Sequence, residues 1–274
     1  MPEEVISYRT VNKHQRRDAA NFLSEFQPLL NWRNGESFVD IGCGPGDVTH
    51  DIIMPLLPRD FTQLVCMDIS RENLDRCCEE FRGDDRVSCV EIDMGKRQDS
   101  RRFNPFNHAT SLMCLHWIPQ QEVAIANVCD LLQSGGSFFF TFVADCPNRK
   151  MNKKMIESKK WAKFLHGMDM ACNPYCFSRD PVGVIRNTLS NAGFVNIHTE
   201  LREVIYQWDT REEFLDYIIT FSAFLINRIP REHHAEFLED HVEMGKHYGL
   251  IRSLCDPQKS IDPYKIIVGL ARKS

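Results

Sequence analysis

The sequence predicts an α/β fold built on a doubly wound, mostly parallel sheet of about seven strands. Two observations lead there. The chain alternates short apolar runs with stretches of helical spacing, and its first apolar run leads directly into a glycine turn and then a helix. That junction spans residues 36–49 and reads E-S-F-V-D-I-G-C-G-P-G-D-V-T. Phe38, Val39 and Ile41 suit a short buried strand. Gly42, Gly44 and Gly46 follow at alternate positions, and Val48, Ile52 and Ile53 then carry helix spacing. Glycines in such a turn adopt backbone angles closed to other residues and let the main chain approach a ligand. The ligand is expected across the carboxyl ends of the parallel strands.

The remaining elements follow in order. Residues 10–32 read as a helix, with Ala19, Ala20, Phe22, Leu23, Phe26 and Leu30 largely on one side. Pro55 and Pro58 end the first crossover helix. Residues 63–69 form a second strand ending in Asp68, and Ser70 caps the next helix. Residues 87–92 alternate as a third strand that ends at Asp93 and Met94. Residues 108–118 form a buried fourth strand whose end carries Leu115, His116 and Trp117. A helix over 121–132, a turn at Gly135 and Gly136, and a fully buried fifth strand over 137–143 come next. Asp180 and Pro181 open a helix that stops at Gly193, and residues 194–208 form a strand whose partner lies in 264–271.

Two stretches break the alternation. Residues 148–176 are basic first and then carry Trp161, Phe164, Leu165 and Met168 as one apolar stripe. In residues 210–254, Phe214, Ile218, Phe221 and Leu225 share one face and Leu215, Ile219 and Ile226 another. A helix apolar nearly all round is buried or lines an apolar cavity. Both stretches read as helical cap inserts in a single domain covering residues 1–274.

Composition limits the function classes. The 274 residues are 43% hydrophobic and 26% charged, as in an ordinary soluble protein, and the net charge of −5 argues against a nucleic-acid partner. No apolar run reaches ~18 residues, so no membrane span is expected. Met1, Pro2, Glu3 and Glu4 show no signal-peptide pattern, and the 11 cysteines then read as reduced thiols of a cytoplasmic protein. The closest pairs, Cys77 with Cys78 and Cys172 with Cys176, lack a second ligand pair at zinc spacing. His233, His234, His241 and His247 also miss that spacing, so no metal is expected.

The glycine turn narrows the ligand. A dinucleotide fingerprint requires G-x-G-x-x-G, and here Asp47 holds the place of the third glycine. No G-x-x-x-x-G-K-[ST] phosphate cradle is present. Asp40 stands two residues before the first glycine, where its carboxylate repels a pyrophosphate and welcomes an ammonium group. The pattern D-x-G-x-G-x-G resembles the first motif of the class I methyltransferases that use S-adenosyl-L-methionine (SAM). Asp68 lies about 20 residues past the glycines, placed to accept from both ribose hydroxyls. The resemblance implies a Rossmann-like methyltransferase sheet. It also implies that Asp40, Gly42, Cys43, Gly44, Gly46, Asp68, Ile69, Asp93, Met94, Leu115 and His116 bind the cofactor, with Asp93 at the adenine amino group.

A closer resemblance covers essentially the whole chain. K-H-Q-R-R-D-A near the N-terminus, F-V-D-I-G-C-G-P-G-D-V-T, M-D-I-S, L-H-W-I-P-Q-Q and P-Y-C-F-S-R-D-P resemble the insect juvenile hormone acid O-methyltransferases. The resemblance implies methyl transfer from SAM to the carboxylate of a sesquiterpenoid acid such as farnesoic acid, leaving S-adenosyl-L-homocysteine. It implies that Gln15 and Trp117 hold that carboxylate. The partner is a small apolar acid, and a homodimer is allowed. Trp161, Phe164, Leu165, Met168, Phe214, Ile218, Phe221 and Leu225 are the candidates for an apolar tunnel. Two alternatives stay open: methylation of another small or fatty acid or a phenol, the last with His116 as base, and a non-catalytic SAM-binding protein that serves a partner.

Overall fold

The protein is described by a computed structural model over residues 11–168, 175–247, 252–253 and 260–274. Thr10, Cys172 and the remaining parts of the two inserts lie outside the described residues. The chain divides into two compact units.

The larger unit comprises residues 15–144, 172–202 and 266–274. Its frame is the sheet, with β1 (Ser37–Ile41), β2 (Gln63–Asp68), β3 (Val87–Glu91), β4 (Phe106–Leu112) and β5 (Leu132–Asp145). β6 (Phe194–Trp208) and β8 (Ser260–Lys273), of which residues 194–202 and 266–273 belong to this unit, complete the order β3-β2-β1-β4-β5-β8-β6, and the two-residue β7 (Arg252–Ser253) pairs with residues 260–261 of β8 in the second unit. The seven strands on the main path match the expected number. β1 runs parallel to both β2 and β4, β2 parallel to β3, and β4 parallel to β5. The chain therefore steps outward from β1 to β3 and returns to the other side of β1 as β4. The carboxyl ends of β1 and β4 form the switch point at which open α/β sheets bind ligands.

Burial explains the strands. β5 carries Phe138, Phe139, Phe140 and Phe142, all buried, as a central strand covered on both faces requires. Phe138, Phe140 and Phe142 join Val39, Ile41, Val65, Met67, Ala109 and Leu115 in one core cluster. Helix α1 (Lys13–Leu30) buries Ala19, Phe22, Leu23, Phe26 and Leu30. Helix α2 (Arg71–Glu80) starts where the Asn73 amide donates to Ser70 Oγ, the cap expected from the sequence. Helix α3 (Gln121–Leu131) buries Ala124, Ile125 and Val128. Helix α6 (Pro181–Asn191) has Asp180 as its cap, accepting from the Gly183 amide at 2.8 Å.

Several boundaries differ from the sequence expectation, each for a local reason. The crossover after the glycine turn is a π turn over Thr49–Ile53 followed by a 3-10 turn over Met54–Leu56, because Pro55 has no amide with which to continue an α-helix. The fourth strand stops at Leu112, since Met113 turns to φ 56°, and Leu115–Trp117 form a 3-10 turn. Gly135 and Gly136 lie within β5. The register there jumps from Phe106↔Leu132 to His108↔Ser137, leaving residues 133–136 bulged opposite Asn107, with Gly135 at φ 79°.

The second unit comprises residues 1–14, 145–171 and 203–265. Its helices are α4 (Pro147–Glu157), α5 (Ala162–Leu165), α7 (Arg211–Phe221), α8 (Ala223–Ile226) and α9 (His234–His247). The two inserts thus supply its helices. The stripe expected to run from Trp161 to Met168 is one turn long, and Gly167 follows it at φ 78°. Thr210 caps α7 by accepting from the Glu213 amide. None of the described helices is long and apolar enough to cross a membrane.

Candidate active site

The cleft at the switch point has a volume of about 290 Å³. Its walls come from the ends of β1 (Ile41, Gly42), β2 (Met67, Asp68, Ile69), β3 (Ile92, Asp93, Met94, Gly95) and the turn after β4 (Cys114, Trp117, Ile118, Pro119, Gln120). Gly42, Asp68, Ile69, Asp93, Met94 and Trp117, all singled out from the sequence, meet here.

The glycine turn is anchored on β2. The Gly42 and Cys43 amides both donate to the Met67 carbonyl, at 2.7 and 3.0 Å. Its glycines do different work. Gly42 sits at φ 73°, and a Cβ there would fall 2.1 Å from Cys114 Sγ. Gly46 sits at φ 84°, with its Cβ position 2.7 Å from Cys77 Sγ. These two let the turn pack on its own protein. Gly44, at φ 57°, has nothing within 4 Å of its Cβ position and opens to space. Arg16 fastens α1 to the turn, donating to Asp47 Oδ2 and Asp51 Oδ2 at 2.7 Å each. Asp47, in the place of a third glycine, is thus a buried anchor for a helix.

The acids are held in place before any ligand arrives. Asp68 Oδ2 accepts from the Gly44 amide and Oδ1 from the Ser70 amide, both at 2.9 Å. Each carboxylate oxygen retains a second lone pair, so Asp68 can still receive a diol. Beside it Ile69 is 64% exposed, an apolar surface suited to the face of a ring. Asp93 Oδ1 accepts from the Gly95 amide at 2.9 Å.

Asp40 is buried and does not line the cleft. Thr49 Oγ1 donates to its Oδ2 at 2.6 Å and Thr110 Oγ1 to its Oδ1 at 2.7 Å. Burial pushes its carboxyl up to about 6 against the pull of those two hydroxyls. Cys43, Gly44, Gly46, Leu115 and His116 also stand off the cleft walls. His116 is buried, and its Nδ1 accepts from the Val143 amide at 3.4 Å. Trp117 is 43% exposed. Gln15 is buried on the first turn of α1 and is absent from the cleft walls.

Sequence reasoning missed Gln120, Ile118 and Gly95 as wall residues and the two threonines that hold Asp40. Gln120 and Ile118 lie in the same L-H-W-I-P-Q-Q segment that drew attention to Trp117. Thr110 is the register partner of Asp40 on β4.

The tunnel candidates fall into two clusters of the helical unit. Trp161, Leu165 and Leu225 pack with Met155 and Phe237, and Phe164 and Met168 lie partly buried against them. Phe214 and Ile218 pack with Met151, Trp208 and Tyr217, with Phe221 partly buried. The indole of Trp161 donates to Asp240 Oδ2 at 2.9 Å. Five of the eight candidates are therefore already covered, and Phe164, Met168 and Phe221 stay partly exposed.

The cleft suits a ligand with an apolar ring, a diol and no phosphate: its walls are apolar apart from two acids and Gln120, and no lysine, arginine or histidine among the described residues lines it. Comparison with known proteins agrees. A family described as a methyltransferase domain matches residues 39–138. The juvenile hormone acid O-methyltransferase of Drosophila melanogaster is 29% identical over 97% of this chain and 91% of its own length. The protein of the same name from Bombyx mori is 28% identical over 97% and 96%. Among solved structures, the YcgJ protein of Bacillus subtilis superposes with a TM-score of 0.60 at 13% identity, covering 92% of this chain and 98% of that one. The phosphoethanolamine N-methyltransferase 2 of Haemonchus contortus, solved in complex with SAM, gives a TM-score of 0.52 at 15% identity over 94% of this chain and 52% of that one. The chain carries a methyltransferase domain over residues 39–138 and is similar over nearly its whole length to juvenile hormone acid O-methyltransferases.

Proposed function

We propose that the protein methylates the carboxylate of an apolar, farnesyl-type sesquiterpenoid acid, with SAM as donor and S-adenosyl-L-homocysteine as by-product. One observation carries the reading: among the described residues, the wall of the cleft presents a half-exposed indole, Trp117, and no basic side chain. The names of the two relatives support the acceptor class.

Bound SAM supplies a methyl group on a sulfonium. The chain's own residues then have three tasks. Asp68, Ile69 and Asp93 hold the nucleoside. Asp40 offers a negative charge to the amino-acid end. Trp117 and Gln15 align the acceptor, each by one neutral hydrogen bond. A carboxylate has a pKa of ~4–5 and is already ionised at neutral pH, so it needs alignment and no general base. A bidentate Arg would bind the ground-state anion too tightly and blunt it as a nucleophile. The Val143 amide at His116 Nδ1 supports a fixed, non-basic role for that ring. Among the tunnel candidates, Phe164, Met168 and Phe221 have surface to give to an apolar tail.

The test is radiolabelled methyl transfer to farnesoic acid, an epoxidised analogue, a saturated fatty acid and a simple phenol, with the product identified by base hydrolysis. A labile methyl ester on the terpenoid acids is the expected outcome. Transfer to the phenol with none to any acid would overturn the proposal.

Asp40 adds a pH prediction. An ammonium group favours ionised Asp40, whose carboxyl sits at about 6 before the ligand binds. SAM must then displace a proton from Asp40 at low pH. Affinity should fall roughly tenfold per pH unit below that value. It should level off near pH 7, until the ligand's own amine, with a pKa of ~7.7–8.0, begins to lose its proton. Calorimetric titrations from pH 5 to 8 should show the slope in the wild type and not in Asp40→Asn. The same slope in both proteins would remove Asp40 from the amino-acid end.

A further inference from the structure

The fold gathers thiols that linear spacing does not reveal. Cys43 lies in the glycine turn, Cys66 on β2 and Cys77 on α2. Their sulfurs all lie within 4.8 Å of one another, and all three residues are buried. A fourth thiol, that of the half-buried Cys89 on β3, belongs to the residue paired with Cys66 in the strand register. The cluster's place is fixed by backbone. The Cys43 amide is bonded to the Met67 carbonyl, next in sequence to Cys66, and Cys77 is pressed against Gly46.

We infer that Cys43, Cys66 and Cys77, with Cys89 as fourth donor, form a binding site for a soft d10 cation of the Zn2+, Cd2+ or Cu+ class. Thiolates around a tetrahedral zinc at ~2.3 Å lie about 3.8 Å apart. The three sulfurs need only small side-chain rotations to reach that spacing. The donor set is all sulfur, which selects soft cations over Ca2+ or Mg2+. Asp40, buried three residues before Cys43 in the chain, adds a favourable field for a cation. Each ligand forms its metal–sulfur bond by releasing a proton to solvent, which makes affinity fall as pH is lowered. A bound cation ties the glycine turn to β2, α2 and β3, and the half-exposed Cys89 marks the entry side.

The experiment uses the full chain, reduced and stripped with a chelator, and Cd2+ as probe. Titration against a competing chelator should show one tight equivalent, a thiolate-to-metal charge-transfer band and release of at least two protons per cation. The melting temperature should rise on loading. Cys77→Ser should abolish the band and weaken binding at least 100-fold, Cys89→Ser should weaken it about tenfold, and Cys78→Ser, an exposed neighbour, should leave it unchanged. Folding of each variant is checked by its melting curve. If Cys77→Ser does not fold, Cys66→Ser carries the same expectation; if neither folds, the wild-type stoichiometry, band and proton release decide. No band in the wild type, or equal binding in a folded Cys77→Ser or Cys66→Ser variant, overturns the inference.

Discussion

Gly42→Ala is expected to weaken SAM binding by ~100-fold or more. An alanine at φ 73° costs roughly 1–2 kcal/mol in backbone strain. The new Cβ would also stand 2.1 Å from Cys114 Sγ and 2.3 Å from Cys114 Cβ. Relieving such an overlap costs about 1–3 kcal/mol, because either the glycine turn or the turn after β4 must move. Both turns line the cleft. Gly35→Ala is the control. It has a similar φ, 75°, but nothing within 4 Å of its Cβ position, and it does not line the cleft. That variant should lose about 1–2 kcal/mol of stability and keep its SAM affinity. Equal SAM affinities for Gly42→Ala and the wild type by calorimetry would contradict the packing described at the glycine turn.

Shortening the acid tail by one isoprene unit should lower kcat/KM by roughly 100–1,000-fold. Five carbons at ~0.8 kcal/mol per buried methylene correspond to about 4 kcal/mol if the whole unit is buried, and to less if part of it stays exposed. The loss belongs in kcat/KM because remote apolar contacts position the carboxylate as well as bind the acid. A homologous series of acids, assayed at saturating SAM, gives the increment per unit. A short polar acid turned over as efficiently as farnesoic acid would sink the terpenoid assignment.

Much of the sheet was legible in the sequence because its signals are local. Phe38 to Ile41 and Phe138 to Phe142 are runs whose burial on both faces leaves no alternation to misread. Ser70 and Asp180 announce helix starts by chemistry that acts within three residues. The failures were also physical. The end of β4 was hidden because Met113 adopts a left-handed conformation that nothing in its side chain announces. The glycines were recognisable, but which of them face protein depends on Cys114 and Cys77, side chains far along the chain. The same holds for Asp40: its position was readable, while its confinement by Thr49 and Thr110 arises only when β1, β4 and the crossover turn come together. The apolar stripes of the inserts signal burial. Their periodicity could not say that Trp161, Leu165 and Leu225 cover one another.

The central claim is that the acceptor is a carboxylate that needs no base. It is tested most directly by kcat/KM for farnesoic acid against pH, at saturating SAM, in the wild type, Trp117→Phe and His116→Asn, with folding checked at each pH. A carboxylate acceptor places the ascending limb near its own pKa of ~4–5 and leaves the profile flat from about pH 6.5 to 8.5. Trp117→Phe, which keeps the ring and deletes the donor, should lower the whole profile by ~10–100-fold without changing its shape. His116→Asn should lower it without adding or removing a limb. A limb near ~6.5 in the wild type that disappears in His116→Asn would contradict the account and point to an acceptor deprotonated on the enzyme.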